Sequence, residues 1–242
     1  SLITHQNQLI AQEHEHLTNF QNNIGLMGQG YNQGVTTGSV DPALLKQIEA
    51  GGIDPKLFNV TQGDYQTNVV GRDTIAPGTY NWLESIGGGR GGGYGCTSYG
   101  CGILANAGAE MQGDLSINNK MRYEGSSYPT ISGNSQLNSL IERYGPSMGS
   151  QVIDTSDGFT HQDLVAGDRI VSNYSTNAGD GGQHTLIFTG EYSDDGSPMV
   201  MQNPVGNVSE GVNVKALNQV KPGYEYGVDL GVTRYTVNMQ NL

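Results

Sequence analysis

Two segments in the second half of the chain decide the fold: LVAGDRIV at residues 164–171 and GGQHTLIFTG at residues 181–190. In each of them a turn that contains glycine leads into an apolar run of strand length. Beyond Ser150 the hydrophobic period is two residues, and the predicted strands are Asp168–Ser172, His184–Glu191, Pro198–Asn203 and Gly227–Met239. Because turn signals separate these strands, we expect them to form an antiparallel sheet.

Before Ser150 the apolar residues recur instead at the 3.6-residue spacing of helices. An amphipathic helix is predicted over residues 1–30. Asp41 and Pro42 supply the N-cap and the first-turn proline of a short helix that ends at Gly51. Further helices are predicted at residues 80–86, 99–113 and 136–144. Helices followed by antiparallel strands indicate an α+β fold.

The first helix is followed by a segment rich in Gly, Gln and Thr, Gly28–Gly38. This composition is typical of a linker. We therefore predict an N-terminal helical arm and linker (residues 1–38) and one main domain (residues 39–242). A chain of 242 residues has the size of one domain with a small annex.

The composition excludes several classes of protein. Asp and Glu number 23 against 11 Lys and Arg, and no basic run offsets the net charge of −12, so we expect no nucleic-acid partner. No apolar run reaches the length of about 18 residues that a membrane span needs. The 37 glycines have no triplet period and accompany only 8 prolines, which excludes collagen. The chain begins with Ser, and its first residues lack the basic, apolar and small-residue sections of a signal peptide. We therefore expect the sequence to begin inside a longer polypeptide or after a processing site.

Two features that suggest a metal or a cofactor are rejected. His14 and His16 of the predicted first helix are two residues apart and point about 200° away from each other, whereas a metal pair needs a spacing of three or four. We therefore expect these histidines to lie on a solvated face of the helix. The loop Gly87–Cys96 is rich in glycine, but it lacks the Gly-Lys-Ser/Thr ending of a phosphate-binding loop, and its only cation is Arg90. We therefore predict no metal, nucleotide or other cofactor.

The same loop leads into a predicted helix at Cys96, which makes this cysteine a candidate nucleophile. A helix N-terminus offers unpaired N–H groups and about half a positive charge, which stabilise a thiolate and an oxyanion. Cys101 is the alternative nucleophile, because a helix that begins there has fewer glycines in its first turns. The two cysteines are also close enough in sequence for a Cys96–Cys101 disulfide, which is the non-catalytic alternative.

His184 is the candidate base. It stands at the start of an apolar strand, directly after a glycine-rich loop, where an imidazole can face a cleft and take a proton from a thiol. His161 is the alternative histidine, in a polar turn with no strand behind it.

A third group is needed to orient the imidazole. Counting along a hairpin whose turn is centred on residue 195 places His184 opposite residues 205–206, and Asn203 is then the best-placed polar side chain. Asp194 and Asp195 are the alternatives, although this counting puts them at the far tip of the hairpin.

These residues resemble the papain-like peptidoglycan amidases and endopeptidases, which include the NlpC/P60 and CHAP families and the type VI secretion amidase effectors. Cys96-Thr97-Ser98-Tyr99 is similar to the Cys-Thr-x-Tyr that opens the CHAP nucleophile helix. Ala166–Val171 resembles the Gly-Asp-hydrophobic strand before the catalytic His, and Gln183–Phe188 resembles the strand that carries this His. Two departures are that Gln183 replaces the usual Gly and that the separation of 88 residues between the Cys and the His is unusually long.

The resemblance implies a papain-like (NlpC/P60-type) fold, in which a nucleophile helix packs on an antiparallel sheet. It implies a cysteine peptidase or amidase in which Cys96 and His184 are catalytic and no cofactor is used. With Asn203, which the hairpin counting selects, they form the predicted catalytic set. The implied substrate is a peptide amide, such as one in the stem peptide of bacterial peptidoglycan. The implied setting is secreted, periplasmic or extracellular, with delivery as an effector and an immunity or inhibitor protein as a further partner.

Other interpretations stay open at this point. The same chemistry could serve a protein-directed cysteine protease or a deamidase toxin. The abundance of Gly, Asn and Ser favours a different class, a non-enzymatic secreted structural module with a Cys96–Cys101 disulfide.

Overall fold

The structure is a computed structural model that describes residues 1–58, 89–90, 93–94, 103–104, 106–109, 150–155, 158–174, 182–202, 213–220 and 231–236. Its helices are α1 (Leu2–Thr37), α2 (Pro42–Ala50) and the single turn α3 (Leu217–Val220), with 3₁₀ turns at Pro55–Phe58 and His161–Asp163. Its strands are β1 (Gly89–Arg90), β2 (Gly93–Tyr94), β3 (Ser150–Ile153), β4 (Arg169–Tyr174), β5 (Gly182–Tyr192), β6 (Pro198–Gln202), β7 (Asn213–Ala216) and β8 (Gly231–Tyr235).

Six of the strands form one open antiparallel sheet in the order β3-β8-β4-β5-β6-β7. The predicted strands at β4, β5, β6 and the described part of β8 are confirmed, and so is the α+β class. Two edge strands were not predicted. Both β3 and β7 are four residues long, and runs this short carry little period-two signal.

Helix α1 is longer than the sequence predicts. It begins after the N-cap Ser1, and it ends at Thr37, where Gly38 adopts a left-handed conformation with φ 76°. The prediction of a linker over Gly28–Gly38 is therefore wrong, because ten of its residues continue the helix. Two of these glycines serve close packing: a Cβ atom on Gly28 would lie 2.9 Å from the Thr189 side chain, and one on Gly30 would lie 2.7 Å from the Phe58 ring. The division into an arm at residues 1–38 and a domain at residues 39–242 stays a prediction.

The prediction of α2 is confirmed together with its cap. The Asp41 carboxylate accepts a hydrogen bond from the Ala43 backbone N–H at 2.8 Å, and Pro42 opens the helix. The buried side chains of α2, Leu44 and Ile48, lie one turn apart and face the core.

Part of the helix predicted over residues 99–113 lies among the described residues. Ile103, Leu104 and Asn106 are helical, and a turn follows at Ala107 and Gly108, where φ is +112°. The predicted end at Gly113 is therefore wrong, because a left-handed glycine ends the helix earlier. The helices predicted at residues 80–86 and 136–144 lie outside the described residues.

The two faces of the sheet bury separate groups of apolar side chains, because successive residues of a strand point to opposite faces. On one face Ile187 and Met201 join Phe20, Ile24 and further residues of α1 and α2; we call this cluster the helix-side core. On the other face lies a second cluster, which we call the outer core: Leu164, Ile170, Leu186, Phe188, Val200, Leu217 and Val232. Among the described residues, no helix has the length and apolar character needed to cross a membrane.

Candidate functional site

Of the three predicted catalytic residues, His184 is described by its backbone. His184 lies in β5, where its backbone is opposite Ser172 of β4. Cys96, the alternative nucleophile Cys101 and Asn203 lie outside the described residues.

The loop that precedes Cys96 contains a short antiparallel ribbon. Gly89 is opposite Tyr94 and Arg90 is opposite Gly93, so each larger residue of β1 and β2 is paired with a glycine. Cys96 follows the end of this ribbon by two residues.

The segment after Cys96 joins the helix-side core. Ile103 and Leu104 are 2% and 6% exposed, and both belong to the cluster that includes Ile187 of β5 and Met201 of β6. The Asn23 side chain donates a hydrogen bond to the Ala107 backbone carbonyl at 3.1 Å, which ties the end of this helical segment to α1. A helical segment downstream of the candidate nucleophile thus packs on the face of the sheet that α1 also covers.

The hairpin of β5 and β6 does not have the register that symmetrical counting predicts. Tyr192 is opposite Pro198, but Phe188 is opposite Val200, which is two residues nearer the turn than counting places it. A bulge accounts for the shift: Gly190 has φ +92°, and the Thr189 hydroxyl donates to the Met199 carbonyl at 3.0 Å. Symmetrical counting therefore misplaces the partners of Ile187 and Phe188 by two residues. The prediction that His184 is opposite residues 205–206 depends on the same counting.

The alternative third residues lie at the opposite end of the hairpin, as predicted. Asp194 and Asp195 belong to the turn after Tyr192, and β5 runs eight residues from His184 to Tyr192, or about 25 Å of strand. Asp195 accepts hydrogen bonds from Ser193, from the Asn218 side chain and from the Ser197 backbone, and these lower its pKa. Asp195 thus stabilises this turn and is too distant to orient His184.

His161 has a structural environment of its own. It lies in a 3₁₀ turn capped by Thr160 and Asp163, and partial burial lowers its pKa. Its backbone carbonyl accepts a hydrogen bond from the Tyr192 hydroxyl at 2.7 Å. These contacts link the turn to the end of β5 that is farther from His184.

The turn before β4 is built around Gly167 and Asp168. Gly167 has φ +91° and its N–H donates to the Phe188 carbonyl at 2.9 Å, while the Phe188 N–H donates to the Asp168 carbonyl at 2.9 Å. A Cβ atom on Gly167 would lie 2.5 Å from the Phe20 ring of α1. This turn therefore connects β4, β5 and α1 at one point, and only glycine fits it.

Asp168 is fully buried and forms an ion pair that the sequence did not reveal. Arg234 of β8 donates from Nε to Oδ1 at 2.9 Å and from Nη2 to Oδ2 at 2.8 Å. The hydrogen bonds to Asp168 raise the pKa of Arg234, although partial burial opposes this effect. Arg234 also donates to the Asp163 carbonyl at 3.0 Å, so one guanidinium holds the 3₁₀ turn, the Gly167 turn and β8 together.

A second arginine lies inside the sheet. Arg169 is 2% exposed, and its Nε donates to the Thr233 hydroxyl at 2.9 Å. Arg169 is directly opposite Ile187 of the helix-side core and so shares its face of the sheet. The sequence motif singled out Asp168 and Arg169 through the Gly-Asp pattern, but nothing in the sequence indicated their partners on β8.

Another buried polar pair lies at the end of β6. Gln202 is opposite Asn213 of β7, and its side-chain Nε2 donates to the side-chain Oδ1 of Asn213 at 2.9 Å. Both residues are buried. The position directly before Asn203 is therefore fixed by a hydrogen bond between two neighbouring strands.

His16 has a different role from the one predicted. The sequence indicated a solvated helix face, yet His16 Nε2 lies 3.1 Å from the Tyr235 hydroxyl at the end of β8. Phe20 packs against the same tyrosine, with ring centroids 4.7 Å apart and ring planes tilted by 54°. The solvated-face prediction is wrong for His16, because α1 packs across the end of the sheet there.

No cluster of three metal-ligating side chains occurs in the part of the chain that the structure describes. Comparison of the sequence with protein-family models and with curated proteins found no match, and comparison of the structure with solved structures found none either.

Proposed function

We propose that this protein is a cysteine hydrolase with a papain-like fold that cleaves a peptide amide. Cys96 is the nucleophile, His184 is the general base and acid, and Asn203 orients the imidazole. The resemblance of the motifs points to bacterial peptidoglycan as substrate, acted on by an amidase or endopeptidase that is secreted or delivered as an effector. An immunity or inhibitor protein is the expected partner of a delivered enzyme.

The observation that carries this proposal is the packing of the segment after Cys96. In a papain-like enzyme the nucleophile opens a helix that packs on an antiparallel sheet. Here Ile103 and Leu104 share a buried cluster with Ile187 of β5. Position 184 of the same strand has the register of Leu186 and the outer core, so the proposal requires Cys96 and His184 to meet at the start of β5, not on one face of the sheet. The position of Gly167 and Asp168 supports the proposal further, because this turn leads into the strand directly beside β5.

The proposed reaction has two steps. The Cys96 thiolate attacks the amide carbonyl carbon, and backbone N–H groups at the start of the helix stabilise the oxyanion that forms. His184 passes the thiol proton to the leaving amine, the C–N bond breaks, and a thioester remains. His184 then takes a proton from a water molecule as the water oxygen attacks the thioester carbon. The C–S bond breaks, the carboxylic acid leaves, and the imidazolium returns its proton to the Cys96 sulfur.

Digestion of purified peptidoglycan, with mass analysis of the products, tests this proposal. The wild-type protein is expected to release fragments with a new amine and a new carboxylate, and the masses identify the bond. Cys96→Ser should abolish the release, whereas the matched variant Cys101→Ser should retain it. Release that depends on Cys101 instead would assign the nucleophile to that residue and overturn the assignment of Cys96.

The glycine-rich composition favours one second candidate, a non-enzymatic secreted structural module. In that case Cys96 and Cys101 form a disulfide. The mass of the protein under non-reducing conditions, before and after alkylation, then shows no free thiol, and digestion gives no products with any substrate.

A further inference from the structure

We draw no further inference here: the strongest candidate, the apolar surface patch of Leu2, Ile3 and Ile10 on the first turns of α1, is exposed on a helix that extends beyond the core, and nothing in the structure shows what covers it.

Discussion

The contact between α1 and the turn before β4 leads to a quantitative prediction. Gly167 combines φ +91° with a Phe20 ring carbon 2.5 Å from the position of an added Cβ. A left-handed conformation costs an alanine about 1–2 kcal/mol. Relief of the steric overlap costs about 1–3 kcal/mol more, because Phe20 is only 3% exposed and is held against Tyr235. Gly167→Ala should therefore lower the free energy of unfolding by about 2–5 kcal/mol.

A matched control separates the two contributions. Gly196 has φ +82°, but an added Cβ there meets no atom within 4 Å. Gly196→Ala should lose only the conformational contribution of about 1–2 kcal/mol. Urea denaturation followed by far-UV circular dichroism measures both variants.

A double variant tests whether the Phe20 ring is the cause of the difference. Phe20→Leu removes the part of the ring that an alanine at residue 167 would meet. The double variant Gly167→Ala with Phe20→Leu should lose less stability than the two single losses added together, by about 0.5–3 kcal/mol. Equal losses for Gly167→Ala and Gly196→Ala, or additive behaviour of the double variant, would refute the packing of α1 on this turn.

Three further predictions concern other parts of the fold. Asp168→Asn should lower the free energy of unfolding by about 1–3 kcal/mol, because it removes the charge that pairs with the partly exposed Arg234. Asp194→Asn, in an exposed turn, is the control. Similar losses for the two variants in urea denaturation would contradict the role of the ion pair. Ile10→Ser should change stability by less than about 0.5 kcal/mol since this side chain is 53% exposed, whereas Ile24→Ala in the core should cost about 2–5 kcal/mol; equal thermal shifts would mean that the first turns of α1 are packed. Asp195 has a lowered pKa, so its contribution to the stability of the fold is present above about pH 4 and is lost as the pH falls through that lowered pKa. Asp195→Asn should therefore have a lower melting temperature than the wild type at pH 7. The two melting temperatures should converge at the acid end of the titration.

Local signals predicted much of the fold. The period of two residues identified the strands from β4 to β6, and the Asp41-Pro42 pair identified the start of α2. These features depend on neighbouring residues, which is why they can be read from one sequence. The glycines of Gly28–Gly38 misled the prediction because glycine is typical of linkers, whereas here it allows α1 to approach Thr189 and the sheet.

The parts that could not be predicted depend on contacts between distant segments. Arg234 follows Asp168 by 66 residues, and no local pattern links them. The register of the hairpin depends on a bulge at Gly190, which symmetrical counting omits. The candidate site was predicted from short motifs alone, so the roles of Cys96 and His184 stay predictions.

The reactivity of Cys96 toward iodoacetamide tests the central proposal most directly. Rates measured between pH 5 and pH 9 in the wild type, in Cys101→Ser and in His184→Ala, with the labelled residue identified by peptide mass analysis, give the thiolate population at each pH. We predict stoichiometric labelling of Cys96 that remains rapid below pH 7, well under the pKa of about 8.5 of an ordinary thiol, and that slows at least about tenfold at pH 6 in His184→Ala. Identical rates with and without His184, or a Cys96–Cys101 disulfide in place of a free thiol, would contradict the account.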